Sequence, residues 1–263
     1  MFFAAKEYLC TMNETQRYFL YLSYNGAAYC GWQRQPQAPT VQGRLESALS
    51  TLLKSPVECV GAGRTDTGVH ASFYVAHFDS PRAIVSPEAF VYHLNALLPE
   101  DIAARRLRAV RPGAHARFDA LSREYVYDIE RHKNPFTRHT SWQYYADLDL
   151  ASMERAAKLL LHYDDFTSFA KLNSGNKTNI CHIFEAGWSA TERGVRFTVR
   201  ADRFLRNMVR ALTGTLVDVG RGRLSVEDFR AIIESRDLSR SGGSAPARGL
   251  FLHDIAYDES LFL

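Results

Sequence analysis

Apolar and polar positions along the chain switch repeatedly between a two-residue and a three-to-four-residue period. Positions 17–24 are aromatic and apolar enough for a strand, and Asn25-Gly26 is the turn signal that closes it. Val41, Leu45, Ala48, Leu49 and Leu52 then recur at helical spacing, predicting a helix over 41–53 capped by Thr40 and ended by Pro56. A short strand is expected at 57–60. Positions 61–68 are too rich in glycine and polar residues for either element, so they form a loop before a strand over 71–78 in which Tyr74, Ala76 and Phe78 share a face. Ser86-Pro87-Glu88 opens a helix carrying Phe90, Val91 and Leu94, and an extended segment follows, ending near Val110.

The second half repeats this vocabulary. Tyr125, Tyr127 and Ile129 mark a strand over 124–130, and Met153, Ala156, Ala157 and Leu160 mark a helix over 152–161. Strands are expected at 181–188 and 194–199, the latter with Val195, Phe197 and Val199 in strict alternation. A long helix is predicted over 203–217 and a last one from about Val226. Strands alternating with helices in two halves of similar length predict an α+β fold of two related domains. Arg111-Pro112-Gly113 is the expected junction, giving an N-terminal extension at 1–14, a first domain at 15–111 and a second at 112–263, with Gly242-Gly243 in a surface loop.

Composition narrows the class without naming it. With 46% hydrophobic and 23% charged residues the chain can build a real core, which excludes a disordered one. A net charge of +3 permits nucleic-acid binding without implying it, so any footprint must come from local clustering. Cys10, Cys30, Cys59 and Cys181 are scattered, without metal-ligand spacing, which suits reduced thiols in a cytosolic protein. The opening apolar run is too short for a signal segment and later ones are broken by charge or glycine, so a cytoplasmic protein that makes no membrane contact is expected.

The densest chemical signal is Gly61-Ala62-Gly63-Arg64-Thr65-Asp66-Thr67-Gly68-Val69-His70. Its three glycines allow a tight turn and a close ligand, and they bring an arginine and a carboxylate within two residues of each other. It carries neither common phosphate-loop ending nor a dinucleotide fingerprint. On spacing alone it is either a functional loop or a turn with a local Arg–Asp pair, and His70 by itself reads as a packed histidine. Arginines give the second signal. On a helix over 203–217, Arg203, Arg206 and Arg210 would line one side with Gly214, opposite Leu205, Met208, Leu212 and Leu216. That stripe suits phosphate or a distant carboxylate, and equally a solvated face. Arg117, Arg123, Arg131, Lys133 and Arg138, with Tyr125 and Tyr127, form a further positive and aromatic tract, again open to RNA contact or to an ordinary sheet surface.

Several ordered motifs carry a resemblance. Tyr24-Asn25-Gly26, Gly31-Trp32-Gln33-Arg34-Gln35, Thr40-Val41-Gln42-Gly43 and Gly63-Arg64-Thr65-Asp66-Thr67-Gly68-Val69-His70-Ala71 come first. Phe118-Asp119-Ala120, Arg123-Glu124-Tyr125-Val126-Tyr127, Asp165-Phe166, Phe204-Leu205-Arg206-Asn207-Met208-Val209-Arg210 and Ala245-Pro246-Ala247 follow. In order and spacing, over roughly 17 to 255, they resemble the TruA family of tRNA pseudouridine synthases. The resemblance implies two similar α/β-sandwich-like halves whose antiparallel sheets meet around a central basic cleft, and a homodimer acting on uridines 38, 39 and 40 of tRNA. It implies no cofactor and no metal.

By the same resemblance Asp66 is the essential carboxylate, either attacking C1′ of the uridine or removing the 2′ proton. Tyr125 is the tyrosine beside the uracil, and Arg210 the arginine paired with the carboxylate, since a buried unpartnered carboxyl would neutralise. Arg64 is the arginine that enters the RNA stack as the target nucleotide flips out. Thr65, His70, Arg203 and Arg206 join it in the expected RNA-binding set.

Overall fold

The computed structural model describes residues 10–11, 15–171, 175 and 177–263. The chain divides into two compact units, Met1–Leu121 together with Ile255–Leu263, and Ser122–Asp254. The division along the chain thus falls between Leu121 and Ser122, beyond the Arg111-Pro112-Gly113 step, and the last residues return to the first unit. Of the expected N-terminal extension at 1–14, Cys10–Thr11 falls within the described residues and the rest lies outside them.

The first unit contains β1 (Cys10–Thr11), β2 (Gln16–Tyr24), α1 (Val41–Leu53), β3 (Cys59–Gly61), β4 (His70–Ser80), β5 (Ala83–Ile84), α2 (Pro87–Asn95) and β6 (Ile102–Ala109). Antiparallel pairing gives the order β6-β2-β4-β3, while β1 pairs with β5. Both helices match their expected positions because their signals are local. The Thr40 side chain accepts from Gly43 N, the Ser86 side chain accepts from Ala89 N, and Pro87 occupies the first turn. The stop of α1 is Lys54 in the left-handed conformation at φ 53°, so the chain leaves the helix before Pro56 is reached. Leu45, Leu49, Phe90 and Leu94 are buried with Leu20, Leu22, Tyr74 and Phe78.

The second unit contains all but the first two residues of β7 (Ala120–Glu130), then β8 (Trp142–Gln143), α3 (Leu150–Leu159), β9 (Ile183–Thr191), β10 (Gly194–Ala201), α4 (Met208–Gly220), α5 (Val226–Ser235) and the first part of β11 (Leu250–Tyr257). Its main strands run β11-β7-β10-β9, with β8 added parallel to β7. In both units the order is therefore fourth, first, third, second strand of a β-α-β-β-α-β unit. This is an α+β fold built twice on one plan. Val195, Phe197 and Val199 of β10 are buried as their alternation requires, and Ser225 with Asp228 closes a capping box on α5.

One predicted element is shorter than its pattern. The long helix begins at Met208, five residues after the expected start at Arg203. Asp202 Oδ1 accepts from both Arg203 N (2.6 Å) and His182 N (2.8 Å), and Asn207 sits in the left-handed region at φ 65°. These contacts hold 203–207 out of the helix.

Candidate active site

The glycine-rich segment is a loop between β3 and β4 in which side chains alternate in direction. Arg64 is exposed, Thr65 is buried and Asp66 is half-buried. The Thr65 hydroxyl lies 2.8 Å from the Tyr24 hydroxyl at the end of β2, and Thr65 O accepts from Trp32 N at 3.2 Å. After Asp66 the chain reverses: Val69 N donates to Asp66 O at 3.1 Å, with Gly68 at φ +76° as the left-handed turn residue. Gly68 N donates to Tyr29 O. The residue before Asp66 and the turn after it are thus both tied to the segment that follows β2.

That segment can come so close only because it lacks side chains at two places. A Cβ on Gly26 would stand 1.9 Å from Val69 O, and one on Gly31 would stand 2.5 Å from Thr65 O. Gly31 also has φ +90°, a conformation that glycine adopts without strain. Below the loop, Trp32 packs on Tyr74 with ring centroids 4.2 Å apart and planes tilted by 31°, and Tyr74 Oη donates to Gly63 O. Tyr29 Oη donates to Asp101 Oδ1 at 2.5 Å, and burial, followed by that carboxylate, pushes the phenol well above its usual range. Tyr29 is thereby a fixed hydroxyl, not a titrating one. None of these aromatic supports stands out by spacing. Their signal was that Tyr24-Asn25-Gly26 and Gly31-Trp32 occur together with the Asp66 motif.

His70 stands in the interior, where its reading as a packed histidine places it. Its side chain is fully buried, and its Nδ1 accepts from Gly26 N at 3.0 Å, satisfying a backbone donor inside the same clamp. Thr65 is likewise buried against Tyr24 and serves the loop's geometry. Of the four residues expected from this loop, Arg64 and Asp66 are the ones whose side chains reach the surface.

The remaining expected residues belong to the second unit. Tyr125 lies on β7 opposite Val199 of β10, and its ring meets Phe204 edge-on at 5.2 Å. Arg210 stands in the first turn of α4. Its Nε donates to Ala245 O at 2.8 Å while Ala245 N donates to Arg210 O at 3.0 Å. The loop carrying Ala245 lies on α4 because Gly214 has no side chain: a Cβ there would be 1.8 Å from Gly243 O. Gly242 N donates to Thr215 Oγ1 and Asn207 Nδ2 to Ser244 Oγ, so Gly242-Gly243 forms part of this packed seam. Tyr127, two residues on from Tyr125, is buried and donates to Pro246 O at 2.7 Å. Burial raises its phenol, against the opposing charges of Arg210 and Arg248. Tyr127 therefore holds the Ala245-Pro246 turn.

The basic helical stripe is corrected as well. Arg203 and Arg206 precede α4 in the irregular 203–207 segment, leaving Arg210 alone of the three on the helix. Arg123 Nη1 donates to Asp202 O at 2.8 Å, which ties that segment to β7. Among the described residues no three His, Cys, Asp or Glu side chains group to hold a metal ion. No described helix is long and apolar enough to cross a membrane.

A half-buried aspartate on a hydrogen-bonded, glycine-lined loop of the first unit makes that loop a candidate active site built from side chains. The sequence comparisons make it specific. The family described as tRNA pseudouridine synthase matches residues 21–119 and 156–258. A protein named tRNA pseudouridine synthase A from Bacteroides thetaiotaomicron is 52% identical over 250 residues, covering 94% of this chain and 93% of its own. One of the same name from Porphyromonas gingivalis is 52% identical over 251 residues, covering 94% and 99%. One from Bacillus subtilis is 40% identical over 241 residues, covering 90% and 97%. This chain belongs to the tRNA pseudouridine synthase family, whose members are isomerases.

Proposed function

We propose that this chain isomerises uridine to pseudouridine at positions 38, 39 and 40 of the tRNA anticodon stem-loop, with Asp66 as its essential carboxylate. The reaction breaks the N1–C1′ bond, turns the base and joins C5 to C1′; C5 gives up its proton and N1 takes one up, so that product and substrate are isomers. It needs no external donor of electrons or groups. Asp66 acts at the sugar, Tyr125 positions the uracil, and Arg210 supplies the positive charge that favours an ionised carboxylate. Arg64 fills the stack left by the flipped nucleotide, where a guanidinium plane can replace a base. The family relationship further supports tRNA as partner, a homodimer and a cytoplasmic setting.

The observation that carries this reading is the construction around Asp66. The buried Thr65 and the turn to Val69 are hydrogen-bonded in place, and the carboxylate between them reaches the surface beside exposed Arg64. The test is to incubate the protein with unmodified tRNA transcripts and map pseudouridine by carbodiimide primer extension. Stops at 38–40 are expected with the natural chain and none with Asp66→Asn, which still binds tRNA. Turnover by Asp66→Asn above a trace would overturn the assignment, and stops elsewhere in the tRNA would overturn the target.

A further inference from the structure

The segment between β7 and β8 has no role in the construction described so far. Positions 131–140 read Arg-His-Lys-Asn-Pro-Phe-Thr-Arg-His-Thr, with no acidic residue. Phe136 is 94% exposed. An apolar ring standing in water is common on a mobile tip, but this loop is held from within. Thr137 Oγ1 donates to Glu130 Oε2 at 2.5 Å, and Glu130 is buried. Gln143 Nε2 donates to Asn134 O at 2.5 Å, and Phe136 N donates to Asn134 Oδ1 at 3.0 Å in an Asx turn. Thr140 N and the buried Ser141 hydroxyl both donate to Thr137 O, at 2.9 and 3.0 Å. The backbone on both sides of Phe136 is thus bonded, so the loop that displays the ring has little backbone entropy left to lose on docking.

Lys133 and Arg138 are exposed on either side of it, whereas Arg131 is paired with Asp147. An aromatic face between two cations that lack an acidic neighbour in the loop fits a polyanion with unpaired bases: the ring stacks a base while the cations meet flanking phosphates. A second copy of this chain would need carboxylates or an apolar socket opposite. We propose that Phe136, with Lys133 and Arg138, is a tRNA contact outside the Asp66 loop, stacking one unpaired base. This rests on the tRNA reading above.

Binding of unmodified tRNA, measured by filter retention across a salt series, tests it. Phe136→Ala should raise Kd about tenfold, the value of one lost base stack, without changing the salt slope. Phe136→Trp should restore affinity. Lys133→Ala with Arg138→Ala should lower the slope of log K against log salt by about 1.5, because two phosphates are no longer neutralised. A Kd for Phe136→Ala within twofold of the natural chain overturns the proposal. So does a sedimentation coefficient for Phe136→Ala that falls to that of a monomer, which would make the loop a protein interface. Failure of the natural chain itself to bind tRNA would instead overturn the reading on which this contact rests.

Discussion

The hydroxyls of Tyr24 and Thr65 lie 2.8 Å apart in the interior, joining the end of the first long strand to the residue that precedes Asp66. Forty-one residues separate them along the chain. Their bond fixes the direction in which the loop leaves Thr65, and hence where the next side chain points.

Tyr24→Phe removes that bond and leaves the threonine hydroxyl in a site closed to water. A cost of about 1–3 kcal/mol is expected in urea unfolding, because a buried polar group loses a partner. Turnover of tRNA should fall on the order of tenfold in the folded enzyme, as misplacement of a reacting group by a fraction of an ångström is enough to do this. Full activity in a folded variant would show that the loop's direction is set elsewhere.

Gly31→Ala places a Cβ 2.5 Å from Thr65 O, at a position already at φ +90°. Either the segment after β2 or the Asp66 loop must shift. A loss on the order of 1–3 kcal/mol is expected from the strain and overpacking, with kcat reduced by roughly a hundredfold if the loop is what gives way. Gly63→Ala is the control, since a Cβ there meets nothing within 4 Å. Equal effects from the two substitutions would refute the close approach as the cause.

His77 should make the first unit sensitive to mild acid. Burial, with Arg17 and His115 adding positive charge nearby, lowers its pKa from 6.5 to about 4, and its Nδ1 accepts from Ala116 N at 3.0 Å. Above pH 6.5 both folded and unfolded states hold it neutral. As pH falls from there towards 4, the unfolded chain takes up a proton that the folded one refuses, so stability is lost across that window. The loss attributable to this group between pH 7 and pH 5 is about 2 kcal/mol. Comparing urea midpoints of the natural chain and His77→Gln at the two pH values reads it directly. An unchanged pH dependence in the variant would remove His77 from the account.

The helices at Val41–Leu53 and Pro87–Asn95 were legible because cap and apolar period are both local to the segment. The helix at Met208–Gly220 was over-read for a physical reason. Arginines at 203 and 206 suit helical spacing, but their backbone direction is set by Asp202 and by the left-handed Asn207, and the second partner of Asp202 is His182, far back in the sequence. The surroundings of His70 were not legible either. Its place in the motif says nothing about whether the imidazole faces a ligand or accepts a hydrogen bond from Gly26 N.

What the sequence by itself determined is the set of parts: two α+β halves, the Gly-Arg-Thr-Asp loop between strands, and the ordered motifs that place the chain in its family. Local propensity and spacing suffice for these, because each is specified within one segment. The tertiary structure decided which residues of those motifs face outward. Thr65 and His70 turn inward because Tyr24 and Gly26 offer partners, and Arg64 and Asp66 are left at the surface by that alternation. It also decided that Gly26, Gly31 and Gly214 are glycines for contact, since only the folded chain brings a distant carbonyl within 2.5 Å of where each side chain would begin.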